Sequence, residues 1–507
     1  MTAVESMADT ITVHNPADGT VVGSVPVDGS EEVAAKAREL RLFQQDWAAM
    51  GGRGRKKWML KWQGWILDNA DHLTEVLMSE TGKSRIDAAI EPISVADYIK
   101  YWANHAEEFL ADKHPKAHSP LFKVKRLTIR YEAYPVVGII EPWNFPLAML
   151  GLDVVPALAA GAAVLLKPSE VTPLSAVEFV RGWNEVGAPP VLGLATGYGP
   201  TGAAVIENAD YVHFTGSTAT GKKVAVACAE RLIPCSLELG GKDPAIVLAD
   251  ADVDRAANGI AWGGMFNAGQ VCISVERVYV EAPIYDEFVA KLTANVDKMQ
   301  QGSESGLEFT YDTGAMATEA QRDIVGRHVE EAVAAGATVL TGGKPTGVGT
   351  FFRPTVLADV DASMNCIAEE TFGPTLPVIK VADEEDAIRQ ANDSCYGLSA
   401  SVWTGDTSRG ERIARRLECG AVNINDAMTN VFCPSLPMGG WKDSGMGYRS
   451  GGPNGLIKFC RQQAITAPRL PTQKSEMIWY SAPRKQSRFA LAAMRAYAAG
   501  WRKLGRK

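Results

Sequence analysis

Residues 136–167 read VVGIIEPWNFPLAMLGLDVVPALAAGAAVLLK, a short β-branched run followed by a long and almost continuously apolar segment. The apolar part, Phe145–Leu166, is long enough to cross a bilayer. Asp153 lies near its middle, Pro156 is expected to break it and Gly161 to end it. The pattern therefore favours a buried helix, followed by a buried strand after the glycine, over a membrane span.

Short β-rich runs continue to alternate with helix-period segments further along the chain. Alternation of this kind predicts parallel sheets covered by helices, which is an α/β fold. Since 507 residues exceed what one compact core usually holds, two or three domains are expected. A helix is also predicted over 319–335, where apolar residues keep one stripe. The predicted strands are Val136–Ile140, Val164–Lys167, Val191–Ala195, Tyr211–Phe214, Ala245–Leu248 and Arg277–Val280.

Charge is unevenly distributed along the chain. The formal net charge is −8, although the last 24 residues contain eight Lys or Arg and no acidic residue. Removing those eight positive charges leaves −16 for the rest. Nucleic-acid phosphates bind to basic faces, so an acidic body gives no reason to expect nucleic acid as a partner.

The amino terminus and the cysteines give no sign of export. Glu5 and Asp9 stand where a signal peptide has a basic and then an apolar run. The eight cysteines are dispersed, with no CxxC pair and no histidine at zinc spacing. We therefore expect reduced thiols, a cytoplasmic location and no metal site.

A cysteine motif is the first candidate for chemistry. Asn267–Arg277 reads NAGQVCISVER, so Cys272 follows a glycine turn and precedes a predicted strand. A thiol there can be held at a strand edge that faces a cleft. An isolated cysteine is more often buried and inert, and two further motifs bear on the choice between these interpretations.

These two motifs supply a carboxylate and an amide. The run LELGGK over 237–242 places Glu238 at an apolar strand end before a double-glycine turn. A carboxylate there is either salt-bridged or has a raised pKa that suits a general base. The run PWNFP over 142–146 places Asn144 on a rigid turn after a strand, where its amide can donate to an oxyanion.

Together the three motifs closely resemble those of the aldehyde dehydrogenase superfamily, over about residues 10–470. Glu238 precedes Cys272 by 34 residues, the usual separation in that family. Met265 and Ser274 are less common neighbours of the cysteine than the residues usual there, but they leave the thiol in place. The resemblance implies a Rossmann-like cofactor domain, an α/β catalytic domain and bridging β-strands for oligomerisation.

The resemblance also implies domain boundaries and a homodimer or homotetramer. The bridging candidates are 123–131, which alternates basic with apolar residues as a strand wet on one face does, and 463–467. The implied parts are an NAD(P)-binding domain at 1–114 and 134–240, a catalytic domain at 241–443, bridging strands at 115–133 and 458–470, and a basic tail at 471–507.

By the same resemblance, the protein oxidises an aldehyde to its carboxylic acid. Cys272 is the nucleophile that forms a thiohemiacetal and then a thioester. The Asn144 amide and the Cys272 backbone N–H form the oxyanion hole, and Glu238 activates the water that hydrolyses the thioester. The site must favour the thiolate, because a free thiol has a pKa of about 8.5.

Two glycine-containing segments are candidates for binding the cofactor. The run GYGPTG over 197–202, with Gly199 at its centre, matches GxGxxG but lacks a strand-adjacent acid about 20 residues on. The run FTGSTATG over 214–221 follows a predicted strand and opens a helix. Its N–H groups can meet a pyrophosphate, with Gly216 and Ser217 as the expected contacts.

The resemblance adds ribose and nicotinamide contacts. Lys167 and Glu170 are implied to hold the adenosine ribose hydroxyls, and Glu170 would repel a 2′-phosphate. This favours NAD as the cofactor, with NADP possible. Glu370 is implied to bind the nicotinamide ribose and Phe372 to pack near the ring, while Trp143 joins the cofactor site from the PWNFP turn.

Substrate choice is indicated by apolar positions. They match the entrance tunnel of the family and offer no cation for a substrate carboxylate, so apolar aliphatic or aromatic aldehydes are expected. The family often has Gly-Arg-Glu after its second glycine cluster, whereas 447–449 read GYR here, which puts a proton relay through that acid in doubt. The tunnel positions are Phe145, Met149, Leu152, Val271, Ile273 and Met438.

The basic tail has two interpretations. A helix here would have an apolar face and a basic face, as interfacial helices do, which favours peripheral membrane contact. The alternative is a disordered or subunit-packing extension. The apolar face would hold Met494, Tyr497, Ala498, Trp501 and Leu504, and the basic face Arg488, Arg495, Arg502 and Arg506.

Two other functions stay open from the sequence. A catalytically silent NAD-binding or scaffold protein is expected to lose at least one of Asn144, Glu238 and Cys272, and all three are present. A cofactor-independent thiol esterase could use the same thioester chemistry. It would leave the cofactor segments unexplained.

Overall fold

The structure is a computed structural model in which the chain forms two compact units. The first contains the described chain up to Phe109 together with Ala133–Phe459, and the second contains Leu110–Glu132 and the chain from Cys460 onward. Glu5 and Asp9 lie outside the described residues. The structure describes residues 10–119, 122–304, 306–471 and 474–504.

The amino-terminal part of the first unit is a β-hairpin followed by four helices. These elements are β1 (Thr10–His14), β2 (Val21–Pro26), α1 (Ser30–Ala49), α2 (Gly51–Asp68), α3 (Ala70–Thr81) and α4 (Arg85–Phe109), after which β3 (Lys125–Ala133) lies mostly in the second unit. Trp62 and Ile66 of α2 are fully buried. The helices therefore supply core packing.

The first sheet has five parallel strands joined by helices. Its elements are β4 (Val136–Ile140), α5 (Ala148–Ala160), β5 (Ala163–Lys167), α6 (Leu174–Glu185), β6 (Leu192–Leu194), α7 (Gly199–Asn208), β7 (Tyr211–Thr215), α8 (Thr218–Glu230) and β8 (Cys235–Glu238). The strands lie in the order β8-β7-β4-β5-β6. Since all five run parallel, their carboxyl ends meet at one edge, where α/β sheets bind ligands.

The apolar segment of this sheet forms a buried helix and a buried strand, as predicted. Gly161 ends α5 with a φ of 100°, a left-handed conformation that glycine adopts freely. The prediction that Pro156 breaks the helix was wrong. Pro156 lies inside α5, whose close packing on nearly every side stabilises a helix that lacks one backbone hydrogen bond.

The second sheet has seven strands in the order β11-β12-β13-β10-β9-β15-β16, all parallel except β11. Strands β9 and β10, which flank the cysteine motif in sequence, lie in its centre. Its elements, with the short β14, are β9 (Asp243–Val247), α9 (Val253–Met265), β10 (Val275–Glu281), α10 (Tyr285–Asp297), α11 (Glu319–Ala334), β11 (Thr338–Thr341), β12 (Thr355–Ala358), α12 (Asn365–Ala368), β13 (Thr375–Val381), α13 (Glu384–Asn392), β14 (Tyr396–Gly397), β15 (Ser399–Trp403), α14 (Thr407–Ala414) and β16 (Ala421–Ile424).

The predicted α/β fold is confirmed. All six predicted strands are present, with bounds that differ by at most two residues, and the helix predicted over 319–335 is α11. The match is close because parallel strands buried on both faces read as short apolar runs between helical segments.

After the second sheet the chain returns to the first one. Its last elements are β17 (Pro437–Met438), β18 (Trp441–Lys442), β19 (Gly445–Met446), β20 (Arg449–Ser450) and α15 (Pro453–Ile457), followed by β21 (Cys460–Pro468) and α16 (Arg484–Leu504). Strand β19 pairs antiparallel with β8, so Gly445 lies opposite Glu238. This return brings the glycine-rich segment that contains Gly445 and Gly447 to the carboxyl edge of the first sheet.

The second unit contains a two-stranded sheet of β3 and β21 and the helix α16. Strand β3 has the length of the predicted run 123–131 but lies two residues further along the chain, and β21 is longer than the predicted run 463–467. The tail is helical, and Tyr497 donates a hydrogen bond to the His118 carbonyl at 2.6 Å. Among the described residues, no helix combines the length and apolar character needed to cross a bilayer. The side chains of Trp501, Arg502, Lys503 and Leu504, and all of Arg506 and Lys507, lie outside the described residues.

Candidate active site

A cavity opens at the carboxyl edge of the first sheet. Strand register brings Thr215 of β7 beside Glu238 of β8, and Ile140 of β4 beside Phe214 of β7. Side chains that follow these strands therefore converge. The cavity is lined by Pro142, Trp143, Asn144, Met149, Thr215, Gly216, Ser217, Leu239, Gly240, Cys272, Gln321, Ile324, Glu370 and Phe372.

Cys272 reaches this cavity because of an unusual turn. Asn267, Ala268 and Gly269 all have left-handed backbone angles, with φ of 53°, 52° and 70°. A side chain on Gly269 would collide with the Gly373 carbonyl, so only glycine fits there. The strained turn, which packs at the start of β10, fixes where the thiol lies.

The Asn144 amide lies in the same cavity and is held by the cysteine turn. Its Nδ2 donates to the Gln270 carbonyl at 2.9 Å, and Nδ2 of Asn267 donates to the Asn144 carbonyl at 3.0 Å. A side-chain amide has two N–H groups, so one remains for a substrate oxygen. The geometry permits the oxyanion role expected for Asn144.

Glu238 is buried at the end of β8. Neither of its carboxylate oxygens has a hydrogen-bond partner among the described residues. Burial raises the pKa of Glu238 to about 7, although Arg449 and Lys458 act in the opposite direction. A carboxylate with that pKa is partly ionised at neutral pH and can accept a proton from water.

The double glycine after Glu238 lets other groups approach. A side chain on Gly240 would lie 2.6 Å from Oε2 of Glu370, and one on Gly241 would collide with the Cys272 carbonyl. The Gly241 N–H donates to Oε1 of Glu370 at 2.9 Å. The turn thus holds Glu370 and Cys272 near the general-base candidate.

Burial also governs the Cys272 thiol. It raises the pKa of Cys272 to about 12, with Arg449 the first of the groups that oppose the effect. The thiol is therefore neutral at physiological pH without a ligand. A nucleophilic role requires that binding or a proton acceptor favour the thiolate.

One end of the cavity fits a dinucleotide. Ser217 is the N-cap of α8, so backbone N–H groups and the positive end of the helix dipole are available to phosphate. At the other end the rings of Trp143 and Phe372 meet edge to face, 5.5 Å apart. Glu370 lies there with a pKa that burial raises to about 8. These residues suit a phosphate at one end and a ribose with its flat ring at the other.

The sequence analysis did not predict the ion pair of Lys242 and Glu276, which supports the Phe372 end of the cavity. Nζ of Lys242 lies 2.6 Å from Oε2 of Glu276, and both side chains are buried. The Glu276 carboxylate accepts backbone N–H bonds from Thr371 and Phe372 at 2.8 and 2.9 Å. The available signal was the lysine that ends LELGGK, since a buried lysine needs a partner.

Three expected cofactor residues do not line this cavity. Lys167 ends β5 and Glu170 follows it at the same sheet edge, and the two pair with each other at 3.1 Å. Gly199 begins α7 and is exposed. The structure brings together Trp143, Gly216, Ser217, Glu370 and Phe372, and leaves these three outside.

A second cavity meets the first at Cys272. All six expected tunnel residues line it, and its one charged lining residue among those described is Glu91. Glu91 is buried and paired with Lys83, so its charge is already compensated. The lining residues are Ile90, Glu91, Ser94, Tyr98, Phe145, Ala148, Met149, Leu152, Phe266, Val271, Cys272, Ile273, Met428, Val431, Phe432 and Met438.

Glu141, Asp153 and His213 also have potential metal-ligand atoms that lie within 4.8 Å of one another. Arg449 pairs with Asp153, and Nζ of Lys458 is 3.8 Å from the same carboxylate. Two neighbouring cations disfavour a further cation there. All eight cysteines lie in the described residues and are free thiols.

Comparison with known proteins agrees with this geometry. A family model described as the aldehyde dehydrogenase family matches residues 3–465. A Mycobacterium tuberculosis protein with the provisional name succinate-semialdehyde dehydrogenase (NADP⁺) 2 is 39% identical over 466 residues, covering 91% of this chain and 89% of that protein. A Methylomonas protein named 4,4′-diapolycopene aldehyde oxidase is 37% identical over 453 residues, covering 89% and 84%.

Solved structures are similar as well. The crystal structure of a Mycobacterium tuberculosis aldehyde dehydrogenase complexed with NAD⁺ gives a TM-score of 0.86 at 34% identity. The match covers 92% of this chain and 96% of that one. The similarity therefore extends over both sheets and the cavities between their strands and helices.

Proposed function

Since this chain belongs to the aldehyde dehydrogenase family, whose members oxidise aldehydes to carboxylic acids, we propose that it oxidises apolar aldehydes with NAD through a thioester on Cys272. The observation that carries the proposal is the position of Cys272, which lines both cavities. One cavity suits a dinucleotide and the other an apolar substrate. The thiol lies where the two would meet.

Acylation begins when the Cys272 thiolate adds to the aldehyde carbon. The carbonyl oxygen becomes anionic, and the free N–H of Asn144 and the Cys272 backbone N–H donate to it. Bound NAD supplies the acceptor for the hydride that leaves this carbon. The product is a thioester on Cys272.

Hydrolysis of the thioester is assigned to Glu238. Its carboxylate accepts a proton from water, the hydroxide adds to the thioester carbon, and the C–S bond breaks to give the acid and free Cys272. A pKa of about 7 makes this base effective near neutral pH. Among the described residues no hydrogen bond occupies its two buried oxygens, and since Glu238 lines neither cavity, the proposed step requires water to reach it.

Asn144→Ala is expected to slow NADH formation by about 10²–10³-fold, or about 2.7–4 kcal/mol, because the anionic oxygen loses one donor. Initial rates with a saturating aldehyde measure this. Asn267→Ala is the comparison, since it loosens the Asn144 carbonyl but leaves its N–H groups. An Asn144→Ala enzyme as fast as the parent would exclude Asn144 from the oxyanion hole.

The apolar tunnel supports an apolar substrate rather than a semialdehyde with a carboxylate. A charged carboxylate there would lose hydration with no cation to compensate it, at a cost of several kcal/mol. We expect kcat/KM for hexanal and benzaldehyde to exceed that for succinate semialdehyde by at least about tenfold. A preference for succinate semialdehyde would refute the apolar assignment.

The same panel, run with NAD and NADP in parallel, tests cofactor choice. Glu170 supports NAD, because a carboxylate at the adenosine ribose repels a 2′-phosphate. Faster turnover with NADP would contradict this proposal. The panel also separates the alternatives: a silent NAD-binding protein yields no NADH, and a thiol esterase yields acid from esters without cofactor.

We propose that the protein is a homodimer or homotetramer joined through β3 and β21. Most side chains of β21 are exposed, so the edge of this two-stranded sheet can extend by pairing with another chain. Sedimentation velocity of the full chain measures the assembly. A monomer at micromolar concentration would contradict it.

Peripheral contact of the tail with anionic lipid is the remaining proposal on partners. Arg484, Lys485, Arg488 and Arg495 are exposed on α16, and so is the apolar run 477–480 just before it. Each basic residue near an anionic surface contributes about 1 kcal/mol. The Tyr497 bond to His118 favours the competing role as a packing extension. Flotation with anionic vesicles decides: equal recovery of the full chain and a variant with these four residues changed to Gln excludes lipid contact through the basic residues.

A further inference from the structure

A cluster of buried charged groups lies behind Glu238. Asp153 comes from the middle of α5, His213 from β7 and Arg449 from β20, and all three are fully buried. Glu141, which follows β4, is buried beside them. Glu141 follows the end of β4, and β7 places Thr215, two residues after His213, beside Glu238.

Arg449 is fixed by hydrogen bonds to Asp153, His213 and Thr215 and by an ion pair with Asp153. Its Nε donates to Oδ1 of Asp153 at 3.0 Å, and its Nη2 lies 2.6 Å from Oδ2 of the same residue. Nη2 also donates to Oγ1 of Thr215 at 2.6 Å. The guanidinium is therefore held by α5 on one side and β7 on the other.

The same guanidinium acts on the reacting groups. Thr215 is the register partner of Glu238, so the hydrogen bond to Thr215 places Arg449 next to the strand end that carries the base. Its Nη1 has no hydrogen-bond partner among the described residues. Its positive charge lowers the pKa of both Glu238 and Cys272, against the larger effect of burial.

The other charges around Glu238 come from different elements. Lys458, after α15, favours the Glu238 carboxylate, and burial lowers the pKa of Lys458 to about 8. The Asp153 charge disfavours the Glu238 carboxylate. Arg449 and His213 hold the pKa of Asp153 low in spite of burial. Burial lowers the pKa of His213 to about 4, so this ring is neutral at physiological pH. Burial raises the pKa of Glu141 well above its usual value, which favours its protonated form.

A purely structural role is the simplest alternative. Asp153 and Arg449 are 296 residues apart in sequence, and their pair ties α5 to β20. Buried ion pairs, however, add little net stability, and apolar residues of similar size often replace them without loss. The pair therefore needs an explanation beyond stability, and the unpartnered Glu238 carboxylate beside it supplies one.

On the basis of the proposed function, we infer that Arg449, held by Asp153 and Thr215, is a positioning residue whose charge keeps the Glu238 carboxylate ionised for thioester hydrolysis. An arginine cannot itself relay a proton, because the guanidinium stays protonated. Arg449, which stands where the family often has the glutamate of Gly-Arg-Glu, therefore acts on Glu238 through its electric field. Asp153 fixes that field in place.

The test compares Arg449→Gln with Arg449→Lys in the full-length enzyme, by the pH dependence of thioester hydrolysis. Ionised Glu238 is required, so hydrolysis falls as pH drops through the pKa of Glu238. Loss of the cation raises that pKa, and Arg449→Gln should hydrolyse the thioester about tenfold more slowly below about pH 6, with the difference vanishing at high pH. Arg449→Lys keeps the charge and should keep the acid limb of the parent, which is the fall of its hydrolysis rate at low pH.

A purely structural role would affect both substitutions alike at every pH. Equal shifts in the two variants, or no shift in Arg449→Gln, would overturn the inference. Because Arg449→Gln removes one of the cations that pair with Asp153, Asp153→Asn with Arg449→Gln is made as well. It removes both buried charges and should still move the acid limb upward, since Arg449 acts on Glu238 more strongly than Asp153 does.

The NADH burst separates this inference from the proposed function. Each variant should release about one NADH per site before hydrolysis limits the rate, which shows that it is folded and that Cys272 reacts. A parent enzyme that forms neither NADH nor a covalent adduct on Cys272 from an aldehyde would refute the thioester mechanism itself. A normal burst with an unmoved acid limb would refute only the role of Arg449.

Discussion

Cys272→Ala is expected to abolish acid formation, with a loss of at least about 10⁴-fold in kcat, because removing a nucleophile removes the covalent route. Cys272 is the cysteine that lines both cavities. No other described cysteine lines either of them. NADH formation with a saturating aldehyde and NAD provides the measurement.

The control for this change is Cys395→Ala. Cys395 is also a free thiol, but it is exposed and lies outside both cavities. Its substitution should leave turnover unchanged. Titration calorimetry with NAD should show that Cys272→Ala still binds cofactor, since Ser217 and Glu370 are intact. Steady acid production by Cys272→Ala would end the thioester mechanism.

The candidate site could be predicted from the sequence wherever one short motif carries the needed geometry. Glu238 ends a strand, Asn144 follows one, and Cys272 follows the strained Asn267–Gly269 turn. The tunnel residues were expected from the resemblance to the aldehyde dehydrogenase family, and the structure places all six along the second cavity.

Long-range pairing could not be predicted in this way. Asp153 looked like an interruption in an apolar segment, and Arg449 like a departure from a family pattern. Only the fold brings them together across 296 residues of sequence. The Lys242 pair with Glu276 was missed for the same reason, since neither residue has a local signal for its partner.

Pro156 shows how packing overrides local preference. Its ring removes a hydrogen bond from α5 and on propensity alone should end the helix. The helix is nevertheless buried from Met149 to Ala160, and the free energy of burying that surface exceeds the loss. The continuation of the helix past Asp153 also presents this residue to Arg449.

The two cavities divide the chemistry between opposite sides of one sulfur atom. Gly216, Ser217 and Glu370 offer backbone N–H groups and a carboxylate on one side, whereas the other side is almost entirely apolar. An apolar aldehyde can enter by the second route while the cofactor occupies the first. The proposed hydrolysis requires water to reach the buried Glu238 carboxylate, which lies at the sheet edge and lines neither cavity.

Glu238→Gln is expected to form about one NADH per site and then stall, because acylation needs Cys272 and hydrolysis needs the carboxylate. Removing a general base costs about 10²–10⁴-fold in the step that uses it. Rapid-mixing absorbance of NADH gives both the burst and the steady rate. In the parent enzyme the steady rate should rise with pH through about 7, where Glu238 ionises, and in Glu238→Gln it should lose this dependence.

Glu141→Gln is the matched control for this substitution. Glu141 is another buried carboxyl at the same sheet edge, but burial raises its pKa and favours the protonated form, which the amide resembles. It should retain steady turnover and the rise near pH 7. Sustained turnover by Glu238→Gln, or an equal stall in Glu141→Gln, would show that another group activates the water.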